Sequence, residues 1–172
     1  GAFGLGARTR IGTGWSSYAI FSTGDFNGDT KADLIARDSG GRLWLYPGNG
    51  RGGLSPRVQI GSGWMVMSAI VGPGDWNYDN QTDLLARDRN TGYLYLYPGN
   101  GKGGFASRVY LGSGWNARNG FAAPEFWGGV NTLFARRSDG VLLDYDSVGN
   151  GVFKSTNVYQ AGTGWSSYTI TG

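Results

Sequence analysis

The segment Gly61-Ser62-Gly63-Trp64 is one of four copies of Gly-[Thr/Ser]-Gly-Trp, and this repetition indicates the architecture of the chain. The copies lie at 12–15, 61–64, 112–115 and 162–165, so the tryptophans are 49, 51 and 50 residues apart. Two more motifs recur with this period. Tyr-Pro-Gly-Asn-Gly occurs at 46–50 and 97–101 and is shortened to Gly-Asn-Gly at 149–151. Leu-x-Ala-Arg occurs at 34–37, 84–87 and 133–136. The chain therefore contains three units of about 50 residues.

Each unit contains four short segments that are typical of β-strands, which in the first unit are 18–21, 34–37, 42–46 and 57–60. No segment keeps a helical period, and 33 glycines among 172 residues disfavour helices. A four-stranded unit repeated at this length is typical of a β-propeller blade. The sequence therefore predicts an all-β protein built of propeller-type blades, in which the glycines form the turns.

We expect residues 1–172 to form one repeat domain. Its repeats span approximately 15–63, 64–114 and 115–164, with partial repeats at 1–14 and 165–172. Propellers typically have about four to eight blades, so three units do not readily close a ring. We expect further repeats of a longer propeller, or association of chains into a homo-oligomer, to complete it.

Composition excludes several functions. The chain has no His and no Cys, which excludes Ser-His-Asp and Cys-His nucleophiles, Cys/His zinc sites and disulfides. The net charge is +3, but Lys and Arg are dispersed rather than gathered in a stripe, which argues against a nucleic-acid partner. No apolar run approaches the roughly 18 residues of a membrane span, and no segment has a signal-peptide pattern.

Two loops carry oxygen side chains in alternation. Segments 25–33 and 75–83 both fit Asp-x-Asn-x-Asp-x-x-x-Asp, and a tight turn lets such side chains converge. Ca²⁺ takes about six to eight oxygen ligands, and the backbone carbonyl at position seven, Lys31 or Gln81, would add one. The alternative is an Asx turn with solvated carboxylates. With every position supplied by protein, we expect such a cation to stabilise the loop rather than to catalyse a reaction.

Segments 24–34 and 74–84 resemble FG-GAP/VCBS repeats, the calcium-loop propeller blades of integrin α-chains and of many secreted actinobacterial proteins. The resemblance extends over the chain in three copies. It implies a propeller fold, loop-bound Ca²⁺ and an extracellular location. By position, it assigns ligand roles to Asp25, Asn27, Asp29 and Asp33, and to Asp75, Asn77, Asp79 and Asp83.

The third copy departs from this pattern. Segment 124–132 is one residue shorter, Thr132 replaces the last Asp, and Glu125 is its remaining carboxylate. We predict that this loop binds no metal. Phe126 and Trp127 in the same loop suggest that packing holds it instead.

The repeated tryptophans have two interpretations. They could form sugar-binding platforms beside hydroxyl or amide donors, or they could pack between blades. The candidate ligand-binding residues are Trp15, Tyr18, Trp64, Trp115, Trp165 and Tyr168. Arg37, Arg87 and Arg136 recur as well, and we expect them to form inter-strand or inter-blade ion pairs rather than an anion site.

Two functional classes follow. The first is a non-catalytic secreted binding or adhesion module, for glycans or as an accessory domain of an extracellular hydrolase. The second is a structural or protein-interaction propeller without a small-molecule site. An enzyme is disfavoured, because the acidic residues are mostly committed to loops.

Overall fold

The computed structural model describes residues 9–123, 131–149 and 152–167, and this part of the chain forms three four-stranded antiparallel sheets. We call the sheets blades 1, 2 and 3. Blade 1 contains β1 (Ala19–Gly24), β2 (Asp33–Arg37), β3 (Leu43–Tyr46) and β4 (Val58–Gly61). Blade 2 contains β5 (Met67–Gly74), β6 (Asp83–Asp88), β7 (Leu94–Tyr97) and β8 (Val109–Gly112). Blade 3 contains β9 (Arg118–Ala122), β10 (Thr132–Arg137), β11 (Leu142–Ser147) and β12 (Phe153–Gly162).

The blades confirm the predicted all-β, propeller-type fold. Within each blade the strands pair in chain order, and β1, β5 and β9 of successive blades are neighbours. These three strands are therefore the innermost ones. The three sheets do not close into a ring. Within the described ranges, no helix is long and apolar enough to cross a membrane.

Two hydrophobic cores lie between the blades. Side chains alternate between the two faces of a strand, so consecutive residues of one strand serve different cores. Leu84 of β6 is fully buried against blade 1, in the core that also contains Ile35. Its neighbour Leu85 faces blade 3 and shares a core with Leu133. Both faces of blade 2 therefore contribute apolar side chains to a core.

The Gly-x-Gly-Trp motif is the turn between blades. Trp64 begins a 3₁₀ turn, Trp64–Val66, and Gly63 before it has φ 76°, which glycine adopts without steric cost. At Gly61 a Cβ atom would lie 2.5 Å from the indole Nε1 of Trp64, so a side chain there would displace the ring. The motif therefore turns the outermost strand of one blade into the innermost strand of the next.

The recurring arginines link one blade to the following turn. The Nη1 atom of Arg37 donates to the carbonyl oxygens of Trp64 at 3.0 Å and Met67 at 2.6 Å. Arg87 likewise donates to the carbonyls of Trp115, at 3.0 Å, and Arg118. These contacts are between blades, as expected, but neither arginine pairs with a carboxylate of the described residues, so the predicted ion pairs were wrong for both within that part of the chain. Asp38, next to Arg37, instead accepts from residues of its own hairpin.

Candidate functional site

The first and second acidic residues of the two alternating loops, at loop positions one and five, accept hydrogen bonds from backbone amides. In loop 25–33, Asp25 Oδ1 accepts from Gly28 N at 2.8 Å, and Oδ2 accepts from Thr30 N at 2.7 Å. Asp29 Oδ1 accepts from Lys31 N at 3.0 Å. In loop 75–83, Asp75 Oδ1 accepts from Asp79 N at 2.9 Å and Oδ2 accepts from Asn80 N at 2.8 Å, while Asp79 Oδ1 accepts from Gln81 N at 2.9 Å. The two loops therefore share one conformation, built from nested Asx turns.

The ninth position has a role that sequence reasoning missed. Asp33 is buried, and its Oδ2 accepts from Phe26 N at 3.1 Å and Asn27 N at 3.2 Å, while Oδ1 accepts from Gly48 N at 2.9 Å. Asp83 repeats this arrangement with three amides of blade 2. The carboxylate thus connects the loop to the Tyr-Pro-Gly-Asn-Gly segment by hydrogen bonds. This connection explains why the alternating loop and the Tyr-Pro-Gly-Asn-Gly marker occur together in the sequence.

Charge differs between the loop positions. Burial raises the pKa of Asp83 to about 7, with the nearby Asp79 adding to the rise, although backbone N–H donors led by Gly99 oppose it. The exposed Asp29 behaves differently, because the hydrogen bond from the Lys31 ammonium, at 2.9 Å, lowers its pKa. The charged form of the exposed Asp29 carboxylate is therefore favoured, whereas the buried Asp83 carboxylate is costly to charge.

The donor set fits a hard cation only in part. Carboxylate and amide oxygens at Asp25, Asn27 and Asp29 are ligands that Ca²⁺ prefers. In the structure each of the three accepts hydrogen bonds from backbone amides of the loop, and within the described ranges no three acidic side chains form a metal-binding cluster. Asp33 already accepts hydrogen bonds from three backbone amides. The calcium assignment therefore remains a prediction.

Loop 25–33 also contains backbone strain. Thr30 has φ 67°, as does Asn80 at the corresponding position of the second loop. A β-branched residue is poorly suited to this region, whereas Asn tolerates it.

Replacing Thr30 with glycine should raise the free energy of unfolding by about 0.5–1 kcal/mol. Relief of the strain exceeds the extra chain entropy that glycine brings to the unfolded state. Urea denaturation in the presence of EDTA measures this change. Asn80→Gly is the matched control, and its free energy of unfolding should rise by less. Equal increases at the two positions would contradict the inference that Thr30 is strained.

The third loop lies mostly outside the described residues, including Glu125, Phe126 and Trp127. Its last residue, Thr132, is buried and donates its hydroxyl to Asp146 Oδ1 at 3.2 Å. The amide of Gly149, which corresponds to Gly48, donates to Ser147 Oγ at 3.2 Å. In blade 3 a serine hydroxyl, rather than a buried aspartate, is therefore the acceptor for this amide.

The repeated tryptophans divide into two groups. Trp64 and Trp115 are each 7% exposed, and Trp64 lies 4.6 Å from Tyr97 and 5.7 Å from Phe105, measured between ring centroids. Packing is the role that the structure gives these two. Trp15 is half-buried against Tyr18 and Tyr46, and Trp165 is 37% exposed. Tyr168 lies outside the described residues.

An exposed aromatic cluster on blade 2 was missed by sequence reasoning. Tyr93 and Tyr110 are 38% and 52% exposed, and their ring centroids lie 5.1 Å apart. Tyr95 lies within 6.3 Å of both rings, and the Arg108 guanidinium is 4.4 Å from the Tyr95 ring centroid. We call these four residues the tyrosine face. The alternation Tyr93-Leu94-Tyr95-Leu96-Tyr97 was its signal, since it places the tyrosines on one side of the strand.

These features define a repeat protein of propeller blades, and comparison with known proteins agrees. Residues 25–86 match the FG-GAP-like repeat, which confirms the resemblance over that segment. None of the curated proteins matches the sequence. The structure is similar to that of an Agrocybe aegerita lectin described as specifically recognising non-reducing terminal N-acetylglucosamine.

The similarity to the lectin concerns the fold. The TM-score is 0.60 at 18% sequence identity, and the match covers 87% of this chain and 39% of the lectin chain. The chain therefore spans about two fifths of the length of that lectin.

Proposed function

We propose that this chain is a non-catalytic, glycan-binding part of a β-propeller and that the tyrosine face contacts the sugar. The observation that carries the proposal is the exposure of Tyr93 and Tyr110 beside Tyr95 and Arg108 on the outer strands of blade 2. Large exposed apolar patches are uncommon on the surfaces of soluble proteins, and those that occur often mark a binding site.

The chemistry of this face suits a sugar. Aromatic rings offer an apolar surface to the C–H groups of a pyranose, and the phenol groups exchange hydrogen bonds with its hydroxyls. Arg108 adds N–H donors at the edge, of which one contacts Tyr97 Oη at 3.4 Å. Blade 1 has a related pair, because the Arg57 guanidinium lies 4.0 Å from the Trp44 ring centroid. Repetition on several blades would let a multivalent glycan bind more tightly than a single sugar.

The lectin similarity supports the glycan class, and N-acetylglucosamine-terminated glycans are the first ligands to test. The FG-GAP-like segment supports a binding module over an enzyme and, through the resemblance, an extracellular location. A role as accessory domain of an extracellular hydrolase fits the same chemistry.

A glycan array followed by titration of the best ligand tests this function. We expect Tyr110→Ala to weaken binding at least tenfold and Val109→Ala to leave it unchanged. Val109 is the matched control because it precedes Tyr110 on β8, where neighbouring side chains point to opposite faces, and is 38% exposed. Absence of any bound glycan would instead favour the structural or protein-interaction class.

We also propose that loops 25–33 and 75–83 bind Ca²⁺ and that the ion stabilises them. Asp25, Asn27 and Asp29 of the first loop, with Asp75, Asn77 and Asp79 of the second, would supply side-chain oxygens, and Lys31 and Gln81 their carbonyls. The bound ion would neutralise carboxylates that lie close together and repel one another.

Removing Ca²⁺ with EDTA should lower the melting temperature. A free Ca²⁺ concentration of about 100 times Kd stabilises the folded state by ~2.7 kcal/mol for each site. Asp25→Asn should remove about half of the effect by disabling one of two loops. Asp139→Asn, an exposed carboxylate paired with Arg137, controls for general charge effects and should keep it. Superimposable melting curves of the unaltered protein in Ca²⁺ and in EDTA would rule out the calcium assignment.

A further inference from the structure

A cavity of about 410 Å³ lies along the innermost strands, away from the tyrosine face. Residues of β1, β5 and β9 line it, so it is formed by all three blades. Its volume falls within the roughly 300–1,000 Å³ of small-molecule sites. The cavity therefore has room for a small organic ligand.

Two arginines, Arg37 and Arg87, form the charged part of its wall, and no Asp or Glu of the described residues lines it. Arg37 uses Nη1 for its two carbonyl contacts, which leaves the Nε–Nη2 edge without a partner among the described residues. Arg87 uses Nη1 for carbonyls and Nε for Ser68 Oγ at 2.9 Å, so its Nη2 is likewise unpaired within those ranges. The cavity thus holds unused guanidinium donors.

No carboxylate of the described lining compensates these two charges, and the nearest aromatic contact is that of the Arg87 guanidinium, which lies 5.1 Å from the Phe121 ring centroid. Partial burial lowers the pKa of both guanidinium groups, and the neighbouring Arg89 lowers that of Arg37 further. Both groups remain cationic at neutral pH, because the ordinary pKa of arginine is above about 12. Positive charge that is partly desolvated and lacks a carboxylate in its surroundings favours an anionic ligand.

The rest of the wall is largely apolar. Ile20 is 42% exposed, and Ile70, Val71 and Phe121 also line the cavity. An inorganic anion would leave these surfaces uncovered, whereas an organic acid can place its body against them. The side-on edge of a guanidinium matches a planar carboxylate with two parallel hydrogen bonds.

We infer that this axial cavity binds the carboxylate of a small organic acid, with Arg37 and Arg87 as its anion-binding residues. This site is separate from the tyrosine face and does not depend on the proposed glycan function.

Titration calorimetry with two matched pairs of probes tests the inference. Benzoate is compared with benzamide, and glucuronate with glucose, so that the members of each pair differ mainly in charge. We expect the acid of at least one pair to bind at least tenfold more tightly than its neutral partner. The pair that responds distinguishes an apolar acid from a sugar acid. Acid and neutral probes that bind equally, or no binding by any probe, would overturn the site.

A pair of variants at Ile20 locates the binding without disturbing the arginines. Replacing Arg37 would also break its bonds to the turn of blade 2, whereas Ile20 lines the cavity and is exposed. Ile20→Glu places a negative charge in the cavity and should weaken binding of the acid at least tenfold. Ile20→Gln introduces a side chain of the same shape as Glu without its charge and should not weaken binding to this extent. Equal affinities of the two variants would place the acid elsewhere and overturn the inference.

Discussion

Replacing Trp64 with alanine is expected to lower the free energy of unfolding by about 3–5 kcal/mol, the range for a large buried aromatic side chain. The ring is 7% exposed and lies in the core between blades 1 and 2, against Tyr97 and Phe105. Its removal leaves a cavity at the point where the chain passes from one blade to the next. Urea denaturation followed by circular dichroism measures the loss.

Trp165→Ala is the matched control, because Trp165 stands in the same Gly-x-Gly-Trp motif and is 37% exposed. Its loss should be below about 1.5 kcal/mol, as for most positions outside a core. Small and equal losses at the two positions would mean that burial of Trp64 does not hold the blades together. The sugar-platform interpretation of the repeated tryptophans would then regain support.

Asp33→Ala should be almost as destabilising, at about 3–5 kcal/mol. The substitution removes both carboxylate oxygens and leaves the amides of Phe26, Asn27 and Gly48 without their acceptor. Each buried donor left unsatisfied costs about 1–3 kcal/mol, and the costs do not add fully. Denaturation in EDTA is the relevant measurement, because it separates this effect from any effect of Ca²⁺.

Asp25→Ala is the control in the same loop. Its hydrogen bonds to Gly28 and Thr30 are exposed, so water replaces the carboxylate and the loss in EDTA should stay below about 1.5 kcal/mol. If Asp33→Ala and Asp25→Ala lost equally little unfolding free energy in EDTA, the role of the buried carboxylate in holding the loop would be refuted. Because Asp33 has this role, loss of stability in its variant is not by itself a sign of lost calcium.

The fold could be predicted because the repeat, the strand-like segments and the turn residues all indicate the same architecture. The predicted segment 57–60 corresponds to β4 at Val58–Gly61, and 34–37 corresponds to β2 at Asp33–Arg37. The observed strand β12, Phe153–Gly162, is longer than any of the strands predicted in the first unit. The periodicity of the strands and the residues of the turns are local properties of the chain, so they could be recognised in a single sequence.

The site residues were harder to predict because their roles depend on distant partners. The acceptor role of Asp33 needs an amide 15 residues away, at Gly48. Arg37 and Asp38 are adjacent in sequence, but neighbouring side chains at a strand end point to opposite sides, so proximity in sequence did not produce an ion pair. The four tryptophans share one motif, yet their exposure depends on what covers each blade.

Glycan binding by the tyrosine face can be followed residue by residue with ¹H–¹⁵N NMR of the unaltered protein titrated with an N-acetylglucosamine-terminated glycan. We expect the largest amide shifts at residues 93–97 and 108–111, while the indole N–H signals of Trp64 and Trp115 stay in place. Shifts centred on those indoles or on the axial cavity, or no shifts at all, would contradict it.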